Sequence, residues 1–242
     1  EENRWEKTRL TIKLILETSG TKEGIALCPS LGVDVLTLEE ARRHNIKVIT
    51  IDRQYWLYEE IALCRACEEF SIDAGEMLGE KVSKGNRYTS DLVEFEHLVW
   101  ICKDIIGDDG FAILKDYLAN RELTLEYLIL RRFSQSISED EIKYQYAGMS
   151  KQEFIAQTID KMIQMMPANG FIFVLGKDEL TLNSLFRYHF TELVFPDDLS
   201  QMVFNPQEEI VQKEFTASDY YGFEIGTATF SYCRIFTKST AA

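Results

Sequence analysis

Between Gln54 and Pro167 the apolar residues recur at intervals of three and four, and this change of period constrains the fold more than any other feature of the chain. One stripe runs Leu63, Cys67, Phe70, Ala74 and Met77; a second runs Leu92, Phe95, Val99, Cys102 and Ile106; a third runs Ile155, Ile159, Met162 and Met166. Such spacing puts each set on one face of an α-helix, so the stripes read as core faces. Gly85-Asn86, Gly107-Asp108-Asp109-Gly110 and Asn120 interrupt the pattern and set off a shorter helix at Phe111 to Ala119. Ser138 with Glu141, and Ser150 with Glu153, are reciprocal capping pairs, and Pro167 stops the last helix. Leu123 to Leu130 fits helix or strand, and its neighbours favour helix.

The flanks follow the other period. Leu10, Ile12, Leu14 and Leu16 alternate with more polar neighbours, the pattern of a strand with one buried face. Gly24 to Cys28 and Val33 to Leu36 are short apolar runs separated by Pro29-Ser30-Leu31-Gly32, which reads as strand, turn, strand. Thr37 with Glu40 opens a short helix that Asn45 ends in the left-handed region, and the β-branched run Ile46 to Ile51 is a further strand. Beyond Pro167, Phe171 to Leu175 reads as strand, Thr181 to Phe190 as helix, and Ile210 to Thr237 as two or three strands.

The expected fold class is therefore α+β, since strands cluster at the ends instead of alternating with helices. Residues 1–53 form a strand-rich N-terminal segment with one short helix, 54–167 a central helical block, and 168–242 a strand-rich C-terminal segment. The two end segments share a mixed or antiparallel sheet in this reading and can make one compact domain.

Composition excludes several classes. The 242 residues are 45% hydrophobic with few Gly and Pro, enough for a substantial core and unlike a disordered chain. No apolar run approaches the ~18 residues of a membrane span, so no membrane association is expected. The chain opens Glu1-Glu2-Asn3-Arg4-Trp5 without an initiator Met, which suggests that a leader or tag preceded it. Five irregularly spaced cysteines point to a reducing compartment, the cytoplasm. A formal charge of −14 repels nucleic-acid phosphate and favours basic partners.

No chemical motif is complete. Cys64-x-x-Cys67 has the spacing of a redox pair or half a zinc site, but it lies within a helical stripe, and His97 and Cys102 fall about 140° apart on their helix. Packing is the expected role of both thiols. Glu94-x-x-His97 has the spacing of di-iron helix bundles, which need a second such pair, and neither His44 nor His189 supplies one. The small-residue loop Thr18 to Gly24 lacks the phosphate-loop spacing. Pro196-Asp197-Asp198 is not followed by the Glu-x-Lys of a metal-dependent nuclease. Cys28, at the end of a strand, is a candidate nucleophile to which spacing assigns no histidine, and Cys28, His97 and His189 are the candidate catalytic residues.

These observations lead to a binding or regulatory protein, of inhibitor, adaptor or immunity type, acting on a basic protein partner, with nucleic acid unlikely, no bound metal and no cofactor. The alternative is an enzyme whose Cys, His and carboxylate residues are dispersed in sequence. A third reading takes residues 37–56 as a helix-turn-helix-like DNA reader carrying Arg42, Arg43, Lys47 and Arg53.

Overall fold

Runs of consecutive apolar residues such as Leu98 to Cys102 and Tyr127 to Leu130 are buried at every position, the signature of strands covered on both faces. The computed structural model describes residues 24–31, 35–52, 56–82, 91–131, 133–167, 170–175, 178–185, 190–193, 224–225, 228–229 and 233–238. The described residues divide into two compact units, one within Thr21–Glu126 and one within Tyr127–Ala242.

In the first unit, strands β1 (Gly24–Leu27), β2 (Ile46–Asp52) and β4 (Leu98–Cys102) are parallel in the order β4, β2, β1, and the short β3 (Leu92–Glu94) lies antiparallel on β4. Helix α1 (Val35–Arg43) connects β1 to β2, α2 (Trp56–Glu69) and α3 (Ala74–Leu78) follow β2, and α4 (Asp109–Asn120) follows β4. Helix α1 ends as its sequence requires. Asn45 takes φ 54, and the N–H groups of His44 and Asn45 bond the Ala41 and Arg42 carbonyls. Next to this turn the β-branched run forms β2, so a strand and not a second helix follows α1, and the helix-turn-helix expectation for residues 37–56 is corrected. Gly110 lets α4 lie close on β2: a Cβ there would stand 2.7 Å from Ile51 Cγ2.

In the second unit, β5 (Tyr127–Arg131) runs parallel to β6 (Phe171–Leu175), while β10 (Cys233–Lys238) pairs antiparallel with both β6 and β7 (Phe190–Leu193). A separate two-stranded ladder joins β8 (Glu224–Ile225) and β9 (Ala228–Thr229). Helices α5 (Glu139–Gln145) and α6 (Lys151–Gln164) open on Ser138 and Ser150, whose hydroxyls accept from the Glu141 and Glu153 N–H groups as the capping pairs predict. The stripe of Ile155, Ile159 and Met162 is buried along α6. Helix α7 occupies Glu179–Leu185, and Phe190 begins a strand, so the helix expected through Phe190 is shorter.

The architecture is mixed α/β, and the α+β expectation holds only in that helices and strands are both present. The segment expected to be a helical block contains β3, β4 and β5. Leu92, Phe95, Val99, Cys102 and Ile106 belong to a hairpin and its exit, because a strand buried on both faces matches three- and four-residue spacing by chance as readily as a helix does. Leu123 to Leu130 likewise leads into β5, not a helix. The strand expected at residues 8–17, most of the loop Thr18 to Gly24, His189 and Pro196-Asp197-Asp198 lie outside the described residues. Among the described residues no helix is long and apolar enough to cross a membrane.

Candidate ligand-binding edge of the parallel strands

Parallel strands with helical crossovers bring their carboxyl ends, and the loops that leave them, to one edge, which is where open α/β sheets bind ligands. In the first unit that edge carries three exits. The chain leaves β1 through Cys28, Pro29, Ser30 and Leu31. Cys28 N–H donates to the Ile49 carbonyl at 2.9 Å, Ser30 N–H to the Ile51 carbonyl at 3.1 Å, and Leu31 N–H to Thr50 Oγ1 at 3.3 Å. Ser30 takes φ 54, a left-handed conformation that a tight turn demands.

One strand across, β2 ends on the half-buried carboxylate of Asp52, in register with Cys102 at the end of β4. From there the chain turns through Lys103 and Asp104, whose carboxylate accepts the Ile106 N–H at 2.9 Å and so fixes the approach to α4. Lys103 Nζ is anchored to Asp91 at 2.6 Å. The edge thus sets a carboxylate, Asp52, between a structured turn and a second acid, Asp104. A carboxylate so placed accepts hydrogen bonds from a diol such as a ribose.

The opposite end of the same sheet holds a second acidic centre of different character. Glu94 on β3 is buried, and its oxygens accept from Lys47 Nζ at 2.9 Å, Tyr117 Oη at 2.6 Å and Arg121 at 2.8 Å. Burial pushes its carboxyl up, but the bonds from Tyr117 and Lys47 and the charges of Lys47 and Arg121 outweigh burial and hold it below the usual range. The Arg121 guanidinium lies over the Tyr117 ring, 4.1 Å from its centroid. This cluster ties β2, β3 and α4 together and leaves the carboxylate saturated, a structural arrangement.

The sequence candidates are not brought together. Cys28 is buried at the carboxyl edge of β1, whereas His97 precedes β4 and sits at the amino edge, its N–H on the Leu78 carbonyl and Nε2 3.9 Å from Glu96 Oε1. A five-residue strand separates the two edges by roughly 16 Å, too far for a nucleophile and its base. His97 and Cys102 are at opposite ends of β4, not on one helix, and Glu94 and His97 flank a strand turn, not a helical site. Cys64 is half-buried on α2, and Cys67 is buried with Sγ 3.7 Å from Met77 Sδ. Burial, and after it the neighbouring Cys64, Glu39 and Asp73, pushes the Cys67 thiol up to about 11. Among the described residues no group of three or more His, Cys, Asp or Glu side chains is placed to hold a metal ion. No motif in the sequence marks Asp52. Its signal was an acid closing a β-branched strand 24 residues after Cys28, the sequence separation at which a nucleoside-binding unit carries its ribose carboxylate.

No protein-family model and no curated protein matches the chain. Among solved structures it is similar to a SAM-dependent O-methyltransferase from Thermotoga maritima, with 13% identity and a TM-score of 0.47 over 96% of this chain and 66% of the other. An rRNA methylase from Streptococcus thermophilus matches at 12% identity and TM-score 0.46, covering 95% of this chain and 96% of the other. TrmN from Thermus thermophilus matches at 10% identity and TM-score 0.41, covering 94% of this chain and 48% of the other. The chain thus spans about two thirds of the first structure and about half of the last. These structures are described as methyltransferases, one of them as an rRNA methylase. The expectation of a binding or regulatory protein with a basic protein partner, and of nucleic acid as an unlikely one, is corrected on this finding and gives way to the enzyme reading proposed below.

Proposed function

We propose that this chain is an enzyme that binds a nucleoside cofactor on the carboxyl edge of β1, β2 and β4, with S-adenosylmethionine, named for the Thermotoga maritima structure, as that cofactor. The observation that supports the reading is in the chain itself: Asp52 ends the second parallel strand beside the turn that leaves the first. The donor set fits the nucleoside. Asp52 supplies the acceptor for the ribose hydroxyls, and Asp104, held by the Ile106 N–H, shapes the wall next to it. When bound, S-adenosylmethionine supplies a methyl group on a sulfonium, an electrophile that needs an acceptor held in line. The residues of this unit bind and orient the nucleoside, while Gly110 and Ile51 keep α4 packed beneath the edge. The two sulfurs nearest the edge, Cys28 and Cys102, are buried and serve as packing groups there.

The test is calorimetric titration of the full chain with S-adenosylmethionine and S-adenosylhomocysteine, beside an Asp52→Ala variant. Saturable binding that weakens about 10- to 100-fold in the variant is expected, the range for a hydrogen bond to a charged group. Absence of binding by the wild type, or an unchanged affinity in Asp52→Ala, refutes the assignment. Transfer of labelled methyl to a panel of small hydroxylated compounds and RNA then reads the acceptor.

A further inference from the structure

A thiol kept only for packing is buried, and the Cys64-x-x-Cys67 pair on α2 follows that rule at one position alone. Cys67 is buried, whereas Cys64, one turn before it on the same side of the helix, is only half-buried. A third sulfur joins them. Beyond Glu69 the chain turns on Ser71, at φ 55, and the Ile72 N–H returns to the Cys67 carbonyl at 2.8 Å. The Asp73 carboxylate then accepts the Gly75 and Glu76 N–H groups at 2.7 and 3.1 Å and opens α3. This turn carries Met77 back onto α2 and sets its Sδ 3.7 Å from Cys67 Sγ, with both residues 1% exposed. Two sulfurs held by one ion through bonds of about 2.3 Å, at an angle of about 110°, stand about 3.8 Å apart, so this pair is already at ligating separation. Simple contact gives a similar separation; the half-buried third sulfur beside it is what packing does not require.

We propose that Cys64, Cys67 and Met77 form a three-sulfur site for a soft monovalent cation of the Cu(I) class. Thiolate and thioether ligands together select Cu(I). Zinc fits less well: a structural zinc site takes four ligands, and among the described residues no His, Asp or Glu joins the two cysteines to complete one. Binding is an exchange of protons for the ion. Each thiol releases its proton to solvent, two metal–thiolate bonds and one metal–thioether bond form, and no electron is transferred. The charge that reaches Cys67 from Cys64, Glu39 and Asp73 is negative, a field that favours a cation there. Half-buried Cys64 gives the ion its way in from solvent. The inference is independent of the nucleoside reading.

The experiment is anaerobic titration of the reduced full chain with Cu(I) held by bicinchoninate, on wild type, Met77→Leu and Cys64→Ser, with thermal melts to confirm folding. Wild type is expected to take one Cu(I) per chain, to show thiolate-to-copper charge-transfer absorption, and to have Cys64 protected from iodoacetamide once loaded. Met77→Leu conserves volume and so keeps the fold, but it removes a ligand and should weaken binding at least about tenfold. Cys64→Ser should weaken it further. Should Cys64→Ser not fold, Met77→Leu and the protection of Cys64 in wild type decide the matter. Failure of wild type to draw Cu(I) from bicinchoninate overturns the inference. So does an unchanged affinity in either folded variant, which puts the ion on other sulfurs of the chain.

Discussion

Replacing Glu94 separates the two kinds of stabilisation that meet at its carboxylate. Its partners differ in exposure: Lys47 and Arg121 are 23% and 44% exposed, whereas Tyr117 is buried. Glu94→Gln removes the charge but keeps an acceptor for the Tyr117 hydroxyl. Two ion pairs to partly exposed cations are worth about 0–1 kcal/mol each, so a loss of about 0–2 kcal/mol is expected. Glu94→Ala also strands the tyrosine hydroxyl, which costs a further ~1–3 kcal/mol, and leaves a small cavity. The total of about 3 kcal/mol corresponds to a Tm lowered by roughly 6–12 °C for a chain of this size. Adding Tyr117→Phe to the Ala variant removes the stranded hydroxyl and is expected to recover about 1 kcal/mol, a sign that additivity forbids.

The same network predicts a pH dependence. The folded carboxyl is held below its unfolded value, so it contributes stability above that unfolded value, about 4.3, and loses it as pH falls through the lower folded value. The stability gap between wild type and Glu94→Gln therefore narrows below about pH 4. Urea denaturation at a series of pH values, followed by circular dichroism, measures both effects. Equal destabilisation of the Gln and Ala variants, or a gap that widens on acidification, refutes the account.

Three further outcomes are expected. Gly110→Ala drives a methyl group to 2.7 Å from Ile51 Cγ2, and should cost about 1–3 kcal/mol in thermal melts, with partial relief by Ile51→Ala. Asp178, buried ahead of α7, accepts from Ser134 N at 2.7 Å, from Ser134 Oγ, and from Thr181 N at 3.1 Å; Asp178→Ala strands these donors and should cost about 2–4 kcal/mol, and Asp178→Asn distinctly less. With iodoacetamide at pH 8, mass spectrometry should find Cys64 modified well before Cys67, whose buried thiol is pushed up to about 11; equal rates contradict the placement of Cys67 against Met77.

What was legible in the sequence was local. Ser138, Ser150 and Asn45 act within one turn of the backbone, and the elements they bound stand where their capping chemistry puts them. The strand Ile46 to Asp52 was legible for the same reason, since β-branching acts on each residue by itself. The pattern failed where burial on both faces erased the contrast that periodicity needs. Leu98 to Cys102 carries no polar residue to mark a face, so its neighbours Leu92, Phe95 and Ile106 completed a false helical stripe.

That one misassignment also hides the candidate edge. With β4 read as helix, the strands appeared to cluster at the chain ends and the fold appeared to be α+β, which has no common edge of carboxyl ends to search. Restoring β4 as a strand parallel to β2 aligns Asp52 with Cys102, and Asp104 follows two residues later, so the acids at 52 and 104 stand at the same edge of the strand pair. It also moves His97 to the far edge, which removes it as a base for Cys28. A motif search asks which residues are near in sequence, whereas this edge is assembled by crossovers of about 20–45 residues between parallel strands, and only strand direction decides which residues share it.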